Sequence, residues 1–460
     1  MTDADTRIQA LNDREVAAGD YVLYWMQQSQ RAENNPALDL AVREANRRKL
    51  PVVVGFGLMD DYPEANQRHF RFMLEGLQAV AAALQRKGIR LVVRLGQPSA
   101  VALALGQRAA LIVCDVGYTR HQREWRRELA AEADCRVLAV EGDVVVPVAV
   151  VSTKAEYAAR TIRPRIQKHL DDYLRLPRAA APRQSSLDLN LDGIGLDDID
   201  AVIAELKIDR CVSPVTAFFK GGTAEARKRL RRFIRHRLAG YDKNSNQPQT
   251  DDVSMMSPYL HFGQISPVYL ALQVRDAQEG QGIDRAAYLE ELIVRRELAI
   301  NFVHYTPDYD RYSCLPDWAL KTLAAHAGDR RTHVYSREEL EAAETHDPYW
   351  NAAMREMKFT GFMHNYMRMY WGKKILEWTP DPEEAFDTTL AINNKYFLDG
   401  RDPNSFAGVA WVYGKHDRAW AERAVFGKVR YMAASGLERK CDIEAYVHKV
   451  DRLVRKSEEN

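Results

Sequence analysis

The chain has 460 residues, enough for two or three domains and too many for a small disulfide scaffold. With 65 Lys and Arg against 64 Asp and Glu, its formal charge is +1; 46% of residues are hydrophobic and 28% charged, the balance of a folded globular protein. This excludes long-range disorder and any polyanion binding driven by net charge alone, so a nucleic-acid surface would need its cations gathered on one face.

Five cysteines, Cys114, Cys135, Cys211, Cys314 and Cys441, include no CxxC spacing. An odd count without that spacing fits a reducing compartment and speaks against a structural zinc site. Met1 to Asn12 lacks an apolar core of the secretory kind, and the most apolar stretch, Val137–Val151, is interrupted by Glu141, Gly142 and Asp143. The expectation is a cytoplasmic protein with no membrane span and no metal.

In chain order, Tyr21–Met26, Pro51–Phe56, Arg90–Leu95, Leu111–Asp115 and Cys135–Val140 read as strands. They are continuous apolar runs, as expected where both faces of a parallel sheet are buried. Helical spacing at His69–Lys87 and His121–Ala133 completes a βα alternation, which predicts a doubly wound α/β domain over residues 1–150. Residues 151–213 have a looser pattern, with Pro177 and Pro182 around an Arg/Ala-rich piece, and read as an interdomain connector. Residues 214–460 read as all-α. Helices are predicted at Glu225–Leu238 with Thr223 as its cap, and at Pro267–Ala277, Arg285–His304, Arg337–Thr345, Trp350–Trp378 and Pro382–Asn393. Trp350–Trp378 is one long helix or a hairpin, stopped by Thr379-Pro380.

Two phosphate-binding patterns fail. Gly55-Phe56-Gly57 is followed by Asp60 where a dinucleotide fingerprint needs glycine, and a carboxylate there would repel a pyrophosphate. Lys220-Gly221-Gly222-Thr223 has the wrong order for a phosphate loop and reads as a turn before a helix. His304, His333, His346 and His364 form no metal-binding spacing and read as surface or core residues.

Other residues carry chemistry. Arg227 to Arg237 make a basic helix that is equally well a solvated face. Trp411, Lys415, His416, Arg418, Trp420, Arg423, Lys428, Arg430 and Tyr431 interleave cations with rings, which suits a nucleic-acid surface with stacking platforms. Trp350, Trp371 and Trp378 are core packing or an electron relay, since indole is among the few oxidisable side chains. Arg368, in an apolar run, needs a carboxylate such as Asp399. Glu290, Glu291 and Glu297 share an apolar helix with Arg295 and Arg296. They are surface pairs, or one carboxyl is desolvated, raised in pKa and able to donate a hydrogen bond.

Several stretches together resemble class II cyclobutane pyrimidine dimer photolyases. They are Tyr24-Trp25-Met26-Gln27-Gln28-Ser29-Gln30-Arg31, Ser257-Pro258-Tyr259-Leu260-His261-Phe262-Gly263, Glu290-Glu291-Leu292-Ile293-Val294-Arg295-Arg296-Glu297-Leu298, Tyr366-Met367-Arg368-Met369-Tyr370-Trp371, Leu398-Asp399-Gly400-Arg401-Asp402-Pro403-Asn404 and Phe426-Gly427-Lys428-Val429-Arg430-Tyr431-Met432. The resemblance implies an α/β domain holding an antenna chromophore such as a deazaflavin (8-HDF) and a helical domain holding FAD. It implies FAD contacts at Tyr241, Ser254, Met255, Met256 and Ser257, the Arg368–Asp399 pair near the isoalloxazine, and Asn393 (beside Asn394) near flavin N5. The active form would be FADH⁻, which after excitation sends an electron to a flipped dimer in UV-damaged DNA. Glu291 would hydrogen-bond the dimer, and Trp411 would pack on it with Arg295 stacked opposite. Arg418, Lys428 and Arg430 would bind DNA, and Trp371, Trp350 and Trp378, with Tyr335 as a side branch, would form the photoreduction relay. The protein would act as a monomer. The main alternative on the same fold is a cryptochrome-like photoreceptor.

Overall fold

The computed structural model describes residues 6–176 and 178–459, so Met1 to Asp5, Pro177 and Asn460 lie outside it. Six strands form one sheet in the order β1-β6-β5-β2-β3-β4: β1 (Ile8–Ala10), β2 (Tyr21–Trp25), β3 (Val52–Leu58), β4 (Arg90–Leu95), β5 (Ala109–Asp115) and β6 (Arg136–Val140). All neighbours are parallel except the edge strand β1, which runs antiparallel to β6. The short, half-exposed β1 has no apolar run, and sequence periodicity gave no sign of it.

The two-sided burial follows from the period of two along a strand. On β2, Val22 and Tyr24 join one core with helices Pro36–Arg48 and Gln67–Gln85. Tyr21, Leu23 and Trp25 join the opposite core with helices Pro98–Gly106 and Arg120–Glu132. Gly57 belongs to this packing and not to a nucleotide fold, because a Cβ there would lie 2.6 Å from Pro98 Cα. The chain reverses its direction of growth between β2 and β5, and a crevice at the carboxyl ends of such strands is where open α/β sheets bind ligands. Asp115, at the end of β5, ties this corner by accepting from Gln27 N, Gln28 N, Ser29 N and Tyr24 Oη.

The stretch read as a connector contains helices Ala159–Tyr173 and Ile199–Glu205, so its loose pattern concealed regular structure. Later residues are helical. Thr223 is not the cap of its helix: Gly222 takes that position, and the Thr223 hydroxyl donates instead to Gln264 O. The preceding glycines donate to Glu75 and Gln264, so this loop is spent on internal contacts. Trp350–Trp378 is a hairpin of helices Pro348–Thr360 and Asn365–Trp378, broken where Gly361 adopts φ 72°. The segment predicted at Arg285–His304 runs as helix Gly282–Leu289, a π turn at Glu290–Arg295 and helix Arg296–Tyr305. Such an inserted turn rotates successive side chains out of α register.

The buried Arg296 guanidinium donates to Asp143 Oδ2 at 2.9 Å and to Asp143 O at 2.7 Å. Arg31, also buried, lies 3.8 Å from the same carboxylate and donates to Gly142 O and Gly263 O. Next to this pair, Glu297 accepts from Val145 N and Val146 N. Burial pushes Asp143 up to about 6 and Glu297 up to about 8, the nearby guanidinium groups opposing the shift. Removing one partner leaves a charge buried and unpaired, so Arg296→Met is expected to destabilise the protein by about 3–5 kcal/mol. Because buried Arg31 faces the same carboxylate, recovery of most of that loss in urea denaturation is expected only in the triple variant Arg31→Met/Asp143→Leu/Arg296→Met.

Candidate functional site

The π turn sets the first part of the site. Glu290 turns toward Arg163, which holds it at 2.7 and 3.0 Å. Glu291 lies on the outer side of the turn: its side chain is 56% exposed, yet the surrounding protein strips enough water to raise its carboxyl pKa, with Arg295 opposing and Glu290 assisting. The Glu291–Arg295 pair spans 4.0 Å, too loose to hold the carboxylate charged by contact. The charge of Glu291 also acts on Tyr241, whose pKa burial raises first. Tyr241 packs edge-on against Tyr288 at 5.3 Å, and Tyr288 donates to Ser254 Oγ at 2.9 Å. Four segments therefore meet here.

Met255 continues the wall in a left-handed conformation, φ 53°, unusual for a non-glycine residue and of the kind stored at functional sites. Its sulfur accepts from Arg229 Nη1 at 3.3 Å. Arg229 lies 4.4 Å over the Phe219 ring, so this member of the basic helix is a packed structural cation. Arg227 and Arg237 pair with Glu33 and Asp252. Met256 is buried, and Ser257 starts helix Ser257–His261.

Phe219 packs near Phe362, and Phe362 near Arg368. Arg368 donates through Nη2 to both oxygens of Asp399 at 3.0 Å and lies 3.9 Å over the Phe397 ring. Two buried ring nitrogens on the same helix region, His364 Nε2 and Trp371 Nε1, have no hydrogen-bond partner. Burial and the neighbouring Lys449 and Arg368 hold the His364 imidazole near 3, neutral at physiological pH. Asn393 donates to Ser405 Oγ and Asn394 Oδ1, whereas Asn394 spends its amide on Glu64 and its oxygen on Asn393 and Arg401 N.

Trp371 stands edge-on to Phe397 at 6.3 Å. Trp350 donates its indole N–H to Trp371 O at 2.9 Å and packs 5.5 Å from Trp378. Trp378 meets Tyr335 at 5.2 Å and His346 at 5.3 Å. Trp350, Trp378 and Tyr335 thus make a run of ring contacts toward the surface, and Trp371 joins it through its backbone carbonyl, which accepts from the Trp350 indole.

The second cluster is distinct. Arg430 lies between Trp411 and Trp420, 5.6 and 4.8 Å from their rings, and Arg418 covers Trp420 at 5.1 Å. Trp420, Arg418 and Lys428 are exposed. No direct contact joins Trp411 to Glu291 among the described residues, but Arg295 acts electrostatically on both Glu291 and His416, which follows the helix Pro403–Val412 that carries Trp411.

A third feature is a cavity of about 100 Å³, opening to solvent, beyond the carboxyl ends of β2 and β3. Trp25, Phe56, Met59, Tyr62 and Trp125 line it, with His261 and Arg401 from the helical part. Trp25 Nε1, Gln30 Oε1 and Arg401 Nε, all in its lining, are buried polar atoms without partners.

A DNA photolyase family profile matches residues 22–184. A deoxyribodipyrimidine photo-lyase of Methanothermobacter thermautotrophicus is 48% identical over 449 residues, spanning 97% of this chain and 98% of that protein. The chain belongs to the DNA photolyase family. Its fold matches a class III photolyase from Agrobacterium tumefaciens with a TM-score of 0.74 at 18% identity, over 94% of this chain and 86% of that one. It also matches an archaeal photolyase from Sulfolobus tokodaii, described with two FAD molecules, with a TM-score of 0.68 at 17% identity over 93% and 89% of the two chains.

Sequence reading missed Lys373. It is fully buried, donates to Val412 O and lies 5.3 Å from the Trp411 ring. Burial lowers its ammonium pKa from 10.5 to about 7, Asp417 opposing. A depressed folded pKa costs stability as pH falls from about 10.5 to about 7. Lys373→Met is expected to flatten the stability–pH profile across that window in chemical denaturation.

Proposed function

We propose that this protein is a class II photolyase that splits cyclobutane pyrimidine dimers in DNA, using FAD in the helical recess and light as the energy source. The observation that carries the reading is the row of oxidisable rings that begins at Trp371, against the Phe397 ring that also carries the Arg368–Asp399 pair, and ends at Tyr335. A relay of this kind has no use in a nucleotide-binding protein without redox chemistry.

The residues fit a flavin dinucleotide. Tyr241, Ser254, Met255, Met256 and Ser257 gather hydroxyls and backbone around one wall of the recess, and the orphaned His364 Nε2 and Trp371 Nε1 flank Arg368. The Arg368–Asp399 pair, in which Nη2 donates to both carboxylate oxygens, puts an acceptor and a donor together, which suits a ring system bearing both kinds of group. Asn393, less committed than Asn394, is the amide we assign to the flavin edge. Bound as FADH⁻ and excited by light, the flavin supplies the electron that opens the cyclobutane ring and receives it back.

The chain's own work is binding, orientation and electrostatics. Glu291, whose raised pKa favours the protonated form, donates a hydrogen bond to a dimer carbonyl and stabilises negative charge as it develops there. Trp411 offers a face for a flipped base, and Arg295 opposes it as a planar cation. Arg418, Lys428 and Arg430 gather positive charge beside Trp411 for the DNA backbone, although the chain as a whole is nearly neutral. The cavity beyond β2 and β3 suits an antenna such as a deazaflavin (8-HDF), because apolar rings line it and three unpaired polar atoms face a polar edge.

Light-dependent dimer loss from a thymine-dimer oligonucleotide tests the reading. Glu291→Ala is expected to lower the splitting yield by about two orders of magnitude with little change in affinity. Trp411→Ala is expected to weaken dimer binding by about 1–3 kcal/mol. Splitting should fall as pH rises through the raised Glu291 pKa, since only the protonated carboxyl donates. Flavin photoreduction without any splitting would favour the photoreceptor reading.

A further inference from the structure

Tyr335 and His346 make two hydrogen bonds to each other. The His346 backbone N–H donates to Tyr335 Oη at 2.9 Å, and that same oxygen lies 2.7 Å from His346 Nδ1. Since the phenol oxygen already accepts the backbone N–H, the arrangement is completed by the phenol donating its proton to an unprotonated Nδ1. We propose that His346 is the proton acceptor that lets Tyr335 become the terminal electron donor of the ring relay. This rests on the assignment of Trp371, Trp350 and Trp378 as that relay.

The step balances. Electron flow toward the light-excited oxidised flavin through Trp371, Trp350 and Trp378 leaves Trp378 one electron short. Tyr335 gives one electron to Trp378, and its phenolic proton moves to His346 Nδ1. The products are neutral Trp378, a neutral tyrosyl radical and an imidazolium. Without a base in contact, the oxidised phenol would have to hold its proton or lose it to water at random.

Four further observations favour this direction. Tyr335 and His346 each pack edge-on against Trp378, so donor and acceptor both touch the oxidised ring. Lys374 Nζ lies 5.7 Å from the Trp378 ring, where a second positive charge on the indole is disfavoured. His346 precedes Asp347, whose carboxylate caps the helix that carries Trp350 and accepts from Tyr370, so the ring is anchored to the relay's own scaffold. His333 stacks on His346 with centroids 3.6 Å apart, and both rings are exposed, which gives the proton a way to bulk water.

The groups facing His346 are Tyr335, the adjacent His333, Asp347 on its own turn, and Lys374 and Glu377 from the Trp378 helix. Burial and His333 lower the imidazole pKa, so the acceptor is free at neutral pH and becomes blocked as pH falls below the ordinary imidazole range.

Transient absorption on the flavin-loaded, oxidised protein tests the proposal by following the radicals and not repair. The wild type is expected to show a Trp378 radical cation giving way to a neutral tyrosyl radical, more slowly in D₂O, with the tyrosyl yield lost at acid pH. Tyr335→Phe and His346→Phe should both lose the tyrosyl signal and leave the radical on Trp378. His346→Gln, which keeps a hydrogen-bond acceptor without basicity, should lose it too. A tyrosyl yield unchanged in both His346 variants, or a wild-type radical that stays on Trp378, overturns the proposal and leaves the relay standing. A wild type in which no Trp378 radical forms overturns the relay itself, and the proposal with it.

Discussion

Arg296 and Asp143 bury opposite charges against each other between the sheet-bearing part and the helical part of the chain. Arg31 closes the other side of the carboxylate, so neither half can move without exposing or orphaning a charge. The cost of such desolvation is high, and it is offset only by close, multiply bonded geometry. The same helix carries the π turn immediately before Arg296. The lock therefore sets where Glu291 and Arg295 point, and through them the shape of the recess. Arg68 adds a second clamp, its guanidinium reaching Ser213 O, Met357 O, Lys358 O and Tyr396 O from three separate segments.

Two kinds of polar group behave differently around this frame. Some with structural duties are fully paired: Asp115 accepts four hydrogen bonds, and Glu290 is held by Arg163. Others are buried without partners at several places in the molecule, among them His364 Nε2 and Trp371 Nε1 on the helix of Arg368, and Trp25 Nε1, Gln30 Oε1 and Arg401 Nε in the lining of the cavity beyond β2 and β3. Buried polar atoms without partners are costly, so those that line a cavity are the ones a ligand can satisfy. The cations beside Trp411 and Trp420 follow a third rule. They stack on Trp411 and Trp420, which holds them in place without neutralising their charge.

Much of this was legible in the residues. Continuous apolar runs located five of the six strands, because a strand buried on both faces has no polar side to show. Arg368 in an apolar helix called for a carboxylate, and Asp399 supplies it at 3.0 Å. Other features had no local signature. Strand β1 is three residues long and half exposed, and its pairing with β6 is a long-range event. The π turn reads as ordinary helix, since its extra residue shows only in backbone register. Thr223 has the chemistry of a cap, but Gln264 offered its hydroxyl a better partner.

The sequence by itself determined the doubly wound sheet, the helical remainder, the family and the residue types able to carry electrons or bind phosphate. Those properties rest on periodicity and on motifs contiguous in the chain. Only the tertiary structure decided which residues share a site. His346 and His333 are unremarkable in the sequence, and become a proton path only because a turn stacks them and sets Tyr335 against one of them. Lys373 gives no sign of its lowered pKa until Val412 and Trp411 close over it. Burial, pKa and ring contact depend on atoms far apart in the chain, and folding alone brings those atoms together.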